Sequence, residues 1–136
     1  MDTETARKIF ASDRYAALTG IEIVEVGEGF CKARMQIEDK HLNAANIVQG
    51  GALFTLADLA FAVASNSHGQ VAFAINVHIT YLHAVSSGVL YATATEVEKP
   101  RKLGVYDVVI TNEREQVVAK FNGMVYRKNQ KVEGLK

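Results

Sequence analysis

One cysteine, one proline and no net charge set the first limits on this 136-residue chain. Cys31 has no second cysteine to pair with, which excludes an internal disulfide and a cysteine-built zinc site. Pro100 stands alone and no low-complexity tract interrupts the chain, so no linker divides it. Residues 1–136 are therefore expected to form a single domain, near the commonest domain size. Fifteen basic side chains balance fifteen acidic ones, and no overall field recruits nucleic acid or an anionic membrane. The opening MDTETARKIFASDRY lacks a long apolar run, so neither a signal peptide nor a membrane anchor is predicted, and the expected location is cytoplasmic. No internal repeat is present.

What the chain does have is one unusually apolar helical stretch. Gln49-Gly50-Gly51 leads into ALFTLADLAFAVASNS, and from Ala52 to Ala64 only Thr55 and Asp58 are not hydrophobic. The apolar residues cover every side of a helical wheel, the signature of a buried helix. The run is too short to cross a bilayer, which takes ~20 apolar residues. A helix swallowed by the core, with a carboxylate in its middle, is the prediction. Burying a carboxylate without a partner is costly, so Asp58 is the first candidate functional residue. The structural alternative is an acid satisfied by Thr55 or by loop amides.

Before this helix, residues 3–18 suggest one amphipathic helix with Thr3 as N-cap and Gly20 as its stop. Ile21 to Val26 reads as a strand whose apolar phase slips between Ile23 and Val24, which predicts a bulge. Gly27-Glu28-Gly29 is a turn, and Phe30 to Glu38 alternates cleanly, so the pair reads as a hairpin with Cys31 facing the core. Residues 39–48 form a loop. Gly69 is expected at C′ of the long helix. Four strands follow, at 71–82, 88–98, 103–111 and 117–127, predicted to form an antiparallel meander. In the first of them Phe73, Ile75, Val77, Ile79 and Tyr81 are expected on one face. The order defines an α+β layer arrangement, a mainly antiparallel sheet of about six strands wrapped around one long helix. That description fits the hotdog fold.

The segment from Asn43 to Asn66 resembles the hotdog-fold acyl-CoA thioesterases, in particular their PaaI-type subgroup. The motif there runs Asn, a short spacer, His-Gly-Gly, a hydrophobic helix, and an acid eight positions after the first Gly. Asn43 stands at the Asn, Gly50 and Gly51 at the glycines, and Asp58 at the acid. Gln49 replaces the His, and it can donate a hydrogen bond but not carry a proton. Ile79-Thr80-Tyr81 and Lys102-Leu103-Gly104-Val105-Tyr106-Asp107 match in the sheet. The resemblance implies hydrolysis of an acyl-CoA to a carboxylic acid and CoA, without a cofactor. It also implies a homodimer at least, and as a rule a tetramer, with the site between two subunits. In this reading Asp58 is nucleophile or general base. The Gly50 N–H, at the positive end of the helix, is the oxyanion donor.

Other candidates carry two readings each. The glycines serve catalysis or merely permit a tight turn. Gln49 holds the thioester carbonyl or orders the loop, and Asn43 belongs to the motif but reads more simply as a loop-shaping residue. Gly51 and Thr55 would touch substrate. Thr55, Asp58, Ser65 and Asn66 fall in one arc of the helix, although Ser65 and Asn66 fit better as its wet end. Lys99, Arg101 and Lys102 either grip the CoA phosphates or form a solvated turn. Phe54, Phe61 and Tyr81 line a pocket or the core. His41, His68, His78 and His83 lack metal-ligand spacing, so no metal site is predicted. A hotdog dehydratase or hydratase is the competing enzyme, disfavoured because no His lies in the helix before His68. A non-catalytic acyl-CoA-binding module is the competing binder and would not need Asp58.

Overall fold

A computed structural model describes residues 1–134. Two short helices, α1 (Thr3–Phe10) and α2 (Arg14–Thr19), precede a hairpin of β1 (Ile21–Gly27) and β2 (Phe30–Gln36). The long helix α3 (Gly50–Asn66) follows, then β3 (Gln70–Tyr81), β4 (Val89–Glu98), β5 (Leu103–Thr111) and β6 (Val117–Lys131). All six strands join one antiparallel sheet in the order β1-β2-β4-β5-β6-β3, with α3 laid across its inner face. This is the hotdog architecture expected from the sequence.

The N-terminal expectation of one helix needs correction. Asp13 interrupts it: its carboxylate accepts from the Ala16 N–H at 3.0 Å and starts α2 afresh. The first N-cap is Asp2, accepting from Thr5 N–H at 2.8 Å, and not Thr3. Gly20 does stop the second helix, at φ +86°. Gly69, with φ +91°, lies two residues beyond the Ser67 C-cap, one position later than expected.

The second correction concerns the sheet. β4, β5 and β6 form a meander, but β3 does not join β4. It crosses to the far edge and pairs with β6. Nor do its apolar residues share one face. A bulge between Ala74 and Asn76 shifts the register, so Phe73 pairs with Tyr126 whereas Val77 pairs with Gly123. One extra residue reverses the side to which every later side chain points. Phe73 and Ile75 are left about half exposed. The bulge expected in β1 is present, between Ile23 and Glu25.

Packing of α3 rests on residues of opposite size. Cys31, Ala33, Ala92 and Ala94 line the inner face of β2 and β4, all fully buried, and their small side chains let the helix come close. On the other half of the sheet the ring of Phe61 sits directly over Gly123. A Cβ at Gly123 would lie 2.6 Å from the end of that ring. Phe61 also meets Phe121 and Tyr106 with ring centroids 5.4 and 5.8 Å apart, and Phe54 meets Phe121 at 5.6 Å. Edge-to-face aromatic contacts of this kind add to the area they bury. Phe61 is thus core, while Phe54 is half-buried beside the open face of the helix.

At the C-terminal end of α3 a polar cluster closes the core. The Glu96 carboxylate accepts from Tyr106 Oη and faces His68 Nε2, both at 2.6 Å, and Arg127 lies 3.8 Å away. Burial pushes the Glu96 carboxyl up, but the hydrogen bonds from Tyr106 and His68 outweigh it and hold the group below its ordinary value. Ser65 and Asn66 belong to this buried end and are not the wet end of the helix. Asn66 donates to the carbonyls of Ala62 and Ala72 and accepts from the Ala72 N–H, tying α3 to β3.

Candidate active site

The helix is not covered all round. Gly51, Phe54, Thr55, Asp58 and Ala62 form a stripe that remains exposed or half-buried, while Leu53, Leu56, Ala57, Ala60 and Phe61 are buried against the sheet. Gly50, Gly51, Thr55 and Asp58 lie on this stripe or at its start, so the expectation of a wholly swallowed helix is corrected in the place that matters for chemistry.

Gln49 is the N-cap, with extended backbone and no side-chain capping bond. Its carbonyl accepts from the Ala52 and Leu53 N–H groups at 2.9 and 3.3 Å. Its side-chain oxygen folds over Gly51, where a Cβ would come within 2.5 Å of it. The Gly50 and Gly51 N–H groups find no acceptor among the described residues. A helix leaves its first N–H groups free in this way, and they carry the positive end of its dipole. Thr55 Oγ donates to the Gly51 carbonyl at 2.8 Å and is thereby turned away from Asp58.

Asp58 accepts no hydrogen bond and forms no ion pair among the described residues. The sequence alternative of an acid satisfied by Thr55 or by loop amides is not what the structure contains. Burial, and then the negative charge of Asp13, push its carboxyl above the ordinary value. The group is the more basic for it. Asp58 and Thr55 open onto a cleft of about 230 Å³ walled by α2. Gln49, Gly51, Ala52 and Thr55 open onto a neighbouring groove of about 480 Å³, and Tyr15 borders both. α2 shapes the site because Asp13 begins it and Gly20 ends it, presenting Tyr15 and Leu18 at 68% and 72% exposure.

Two sequence candidates sit differently. Asn43 accepts from the Ala45 and Ile47 N–H groups at 2.9 and 3.3 Å and shapes the loop that delivers Gln49. That loop is pinned by His41, whose Nδ1 accepts from the Glu38 N–H at 2.9 Å and whose Nε2 lies 2.6 Å from the Thr19 carbonyl. Lys99, Arg101 and Lys102 form the exposed β4–β5 turn. The Lys102 carbonyl accepts from the Arg127 N–H, which places the turn beside the Glu96 cluster at the C-terminal end of α3. Within one protomer this is the opposite end of the helix from Gly50, about 25 Å along a 17-residue axis. Asp13 and Tyr15 escaped the sequence reading, which makes them only parts of one longer helix. Tyr81 reads there as a strand residue that lines a pocket or the core; what that reading misses is its hydroxyl donating to the Gly50 carbonyl at 3.1 Å.

The fold and this open helix face define a class: hotdog proteins whose central helix offers free N-terminal amides and one unpaired acid. Residues 45–119 match the model of the thioesterase superfamily. The acyl-coenzyme A thioesterase PaaI of Escherichia coli is 37% identical over 125 residues, covering 91% of this chain and 89% of that protein. A protein of Archaeoglobus fulgidus described as an esterase is 43% identical over 123 residues, covering 90% of this chain and 80% of its own. The solved structure of E. coli PaaI, from the phenylacetic acid degradation operon, superposes with a TM-score of 0.90 at 35% identity over 94% of each chain. A hypothetical thioesterase protein of Streptococcus pneumoniae, solved with coenzyme A, gives 0.85 at 28% identity over 92% of this chain and 98% of its own. The chain belongs to the thioesterase superfamily, in its PaaI-type hotdog branch, and its reaction class is thioester hydrolysis.

Proposed function

We propose that the protein is an acyl-CoA thioesterase, converting acyl-CoA and water to a carboxylic acid and CoA. The observation that carries this reading is Asp58, an unpartnered and more basic carboxylate on the open stripe of α3, in a chain of this superfamily. The CoA bound by the S. pneumoniae relative supports the same substrate class.

In this mechanism the thioester carbonyl lies at the start of α3, with its oxygen toward the Gly50 N–H. Gln49 and Gly51 flank it, and Thr55 borders the acyl path. Asp58 acts as general base, taking a proton from water as it attacks the carbonyl carbon, or attacks directly as nucleophile. Negative charge gathers on the carbonyl oxygen and is met by the amide. Collapse breaks the C–S bond, and the CoA thiolate leaves with the proton that Asp58 took from water. Where Asp58 is the nucleophile, water then hydrolyses the acyl–aspartyl anhydride, freeing the carboxylic acid and Asp58 and supplying that proton. Asp58 lies about 12 Å along the axis from Gly50, too far to serve a carbonyl held at its own helix start. The family resemblance supplies the alternative, a site that joins Gly50 of one subunit to Asp58 of another. β3 supports such pairing, because it is a sheet edge with Phe73, Ile75 and Tyr81 half exposed. Asn43 acts at one remove, through the loop. Lys99, Arg101 and Lys102 contact CoA phosphates only if a neighbouring subunit brings them to the site.

The test is release of free thiol from a panel of acyl-CoAs by the wild type and by Asp58→Asn. The amide keeps shape and hydrogen-bonding capacity but is neither anionic nor basic. The variant should fold, keep its oligomeric state, bind acyl-CoA, and lose at least ~100-fold in turnover. Wild-type turnover in the variant would remove Asp58 from the chemistry. Change in the acyl chain without thiol release would mark a hydratase, and binding without reaction a sensor.

A further inference from the structure

Tyr81, the last residue of β3, reaches back to the first turn of α3. Its hydroxyl donates to the Gly50 carbonyl at 3.1 Å. Its ring lies so close to Gly50 that a Cβ there would be 3.0 Å from Cζ and 3.1 Å from the hydroxyl. Tyr81 is 50% exposed, so burial alone does not demand this contact.

The Gly50 carbonyl and the Gly51 N–H belong to one planar peptide, so fixing the carbonyl fixes the direction of the N–H on its other side. Accepting a hydrogen bond at the oxygen also polarises the amide and strengthens its N–H as a donor. The Gly50 N–H belongs to the preceding peptide, whose carbonyl is held by the Ala52 and Leu53 N–H groups. Both free amides are thus anchored from behind, one by the helix itself and the other by Tyr81. The ring also crowds position 50, where a side chain would push Tyr81 aside by a few tenths of an ångström.

We propose that Tyr81 is a positioning residue for thioester hydrolysis, holding the Gly50–Gly51 peptide so that the Gly51 N–H joins the Gly50 N–H as a second donor to the oxyanion. The proposal rests on the thioesterase reading above. It separates two functions of β3: the strand closes one edge of the sheet, and its last residue sets the geometry of the helix start.

Tyr81→Phe keeps the ring and removes only the hydroxyl. Turnover with a good acyl-CoA substrate should fall about 3- to 10-fold, the scale of one hydrogen bond. KM should stay nearly constant, because the interaction acts on the transition state. The pH profile should keep its position, since no group that titrates near neutrality is removed. The Gly51 amide resonance should move in 15N–1H spectra. Unchanged turnover in the variant overturns the proposal, as does a rise in KM alone or an unmoved Gly51 resonance. Absence of thiol release by the wild type with every acyl-CoA tried sinks the functional reading and takes the proposal with it. Loss of the effect in an otherwise working enzyme sinks the proposal alone.

Discussion

Asp58 shares its cleft with a second carboxylate, Asp13, and among the described residues with no cation. Tyr15, Ala16, Phe54, Thr55 and Leu59 complete the wall. Asp13 also borders the cleft where Arg7 lies, but Arg7 pairs with Glu4 at 2.6 Å and donates to the Ile23 carbonyl at 3.1 Å. Asp13 is held in place by capping α2.

The first prediction is a pH dependence. Burial, then Asp13, raise the Asp58 carboxyl, so kcat/KM should fall as pH drops through a value above the ordinary carboxylate range. Asp13→Asn keeps an equally good cap and removes the charge. Its acid limb should move to lower pH, with little change in melting temperature. An acid limb in the same place would show that Asp13 does not act on Asp58.

The same shift makes a stability statement. A carboxyl whose folded value lies above its unfolded value favours the folded state most when it is protonated. That contribution is fully present below the unfolded value and is lost as pH rises through the folded one. Asp58→Asn should therefore melt higher than the wild type at neutral pH, and the gain should shrink toward acid pH. Melting curves across pH check this. A variant less stable at neutral pH would mean that Asp58 has a structural partner in the assembled protein.

Gln49 is exposed and uncapped, free to meet a ligand. Gln49→Ala should lose about 10- to 100-fold in turnover, and Gln49→His should keep substantial activity, because either side chain can donate one hydrogen bond. Full activity in the alanine variant would assign Gln49 to loop order.

The Phe61–Gly123 contact predicts a size conflict. Gly123→Ala should destabilise by about 1–3 kcal/mol, the usual cost of overpacking. Phe61→Leu in the same background should recover part of that loss, because the ring that the new methyl meets is gone. Denaturant melts of the single and double variants measure the coupling, and additive losses would show that the two sites do not communicate.

Assembly is the remaining prediction. Light scattering should give a mass of two chains or more, and Ile75→Lys on the exposed stretch of β3 should weaken assembly and activity together. Full activity at the mass of a single chain would end the shared-site reading.

Much of this was legible before any coordinates. Ala52–Ala64 declared a helix facing the core because its composition leaves almost no polar side. Alternation from Phe30 to Glu38 declared a strand with Cys31 inside, and Cys31 is fully buried, its thiol pushed up to about 12 by that burial. Gly50, Gly51 and Asp58 stood out because glycine before a helix and an acid inside an apolar run each conflict with local preference.

Other features depend on contacts between residues far apart in the chain. That β3 pairs with β6 and not β4 is a choice among strands of similar pattern, settled by how the whole sheet wraps α3. The Ala74–Asn76 bulge reversed the faces of a strand that alternation alone would have read straight through. Tyr81 over Gly50 joins positions 31 residues apart, and Asp13 beside Asp58 joins two helices across a loop and a hairpin. Local sequence determined which segments are helix and strand, because period and propensity act over a few residues. Tertiary structure decided which side of α3 stays open and which side chains meet there, because those depend on packing that no short window of sequence contains.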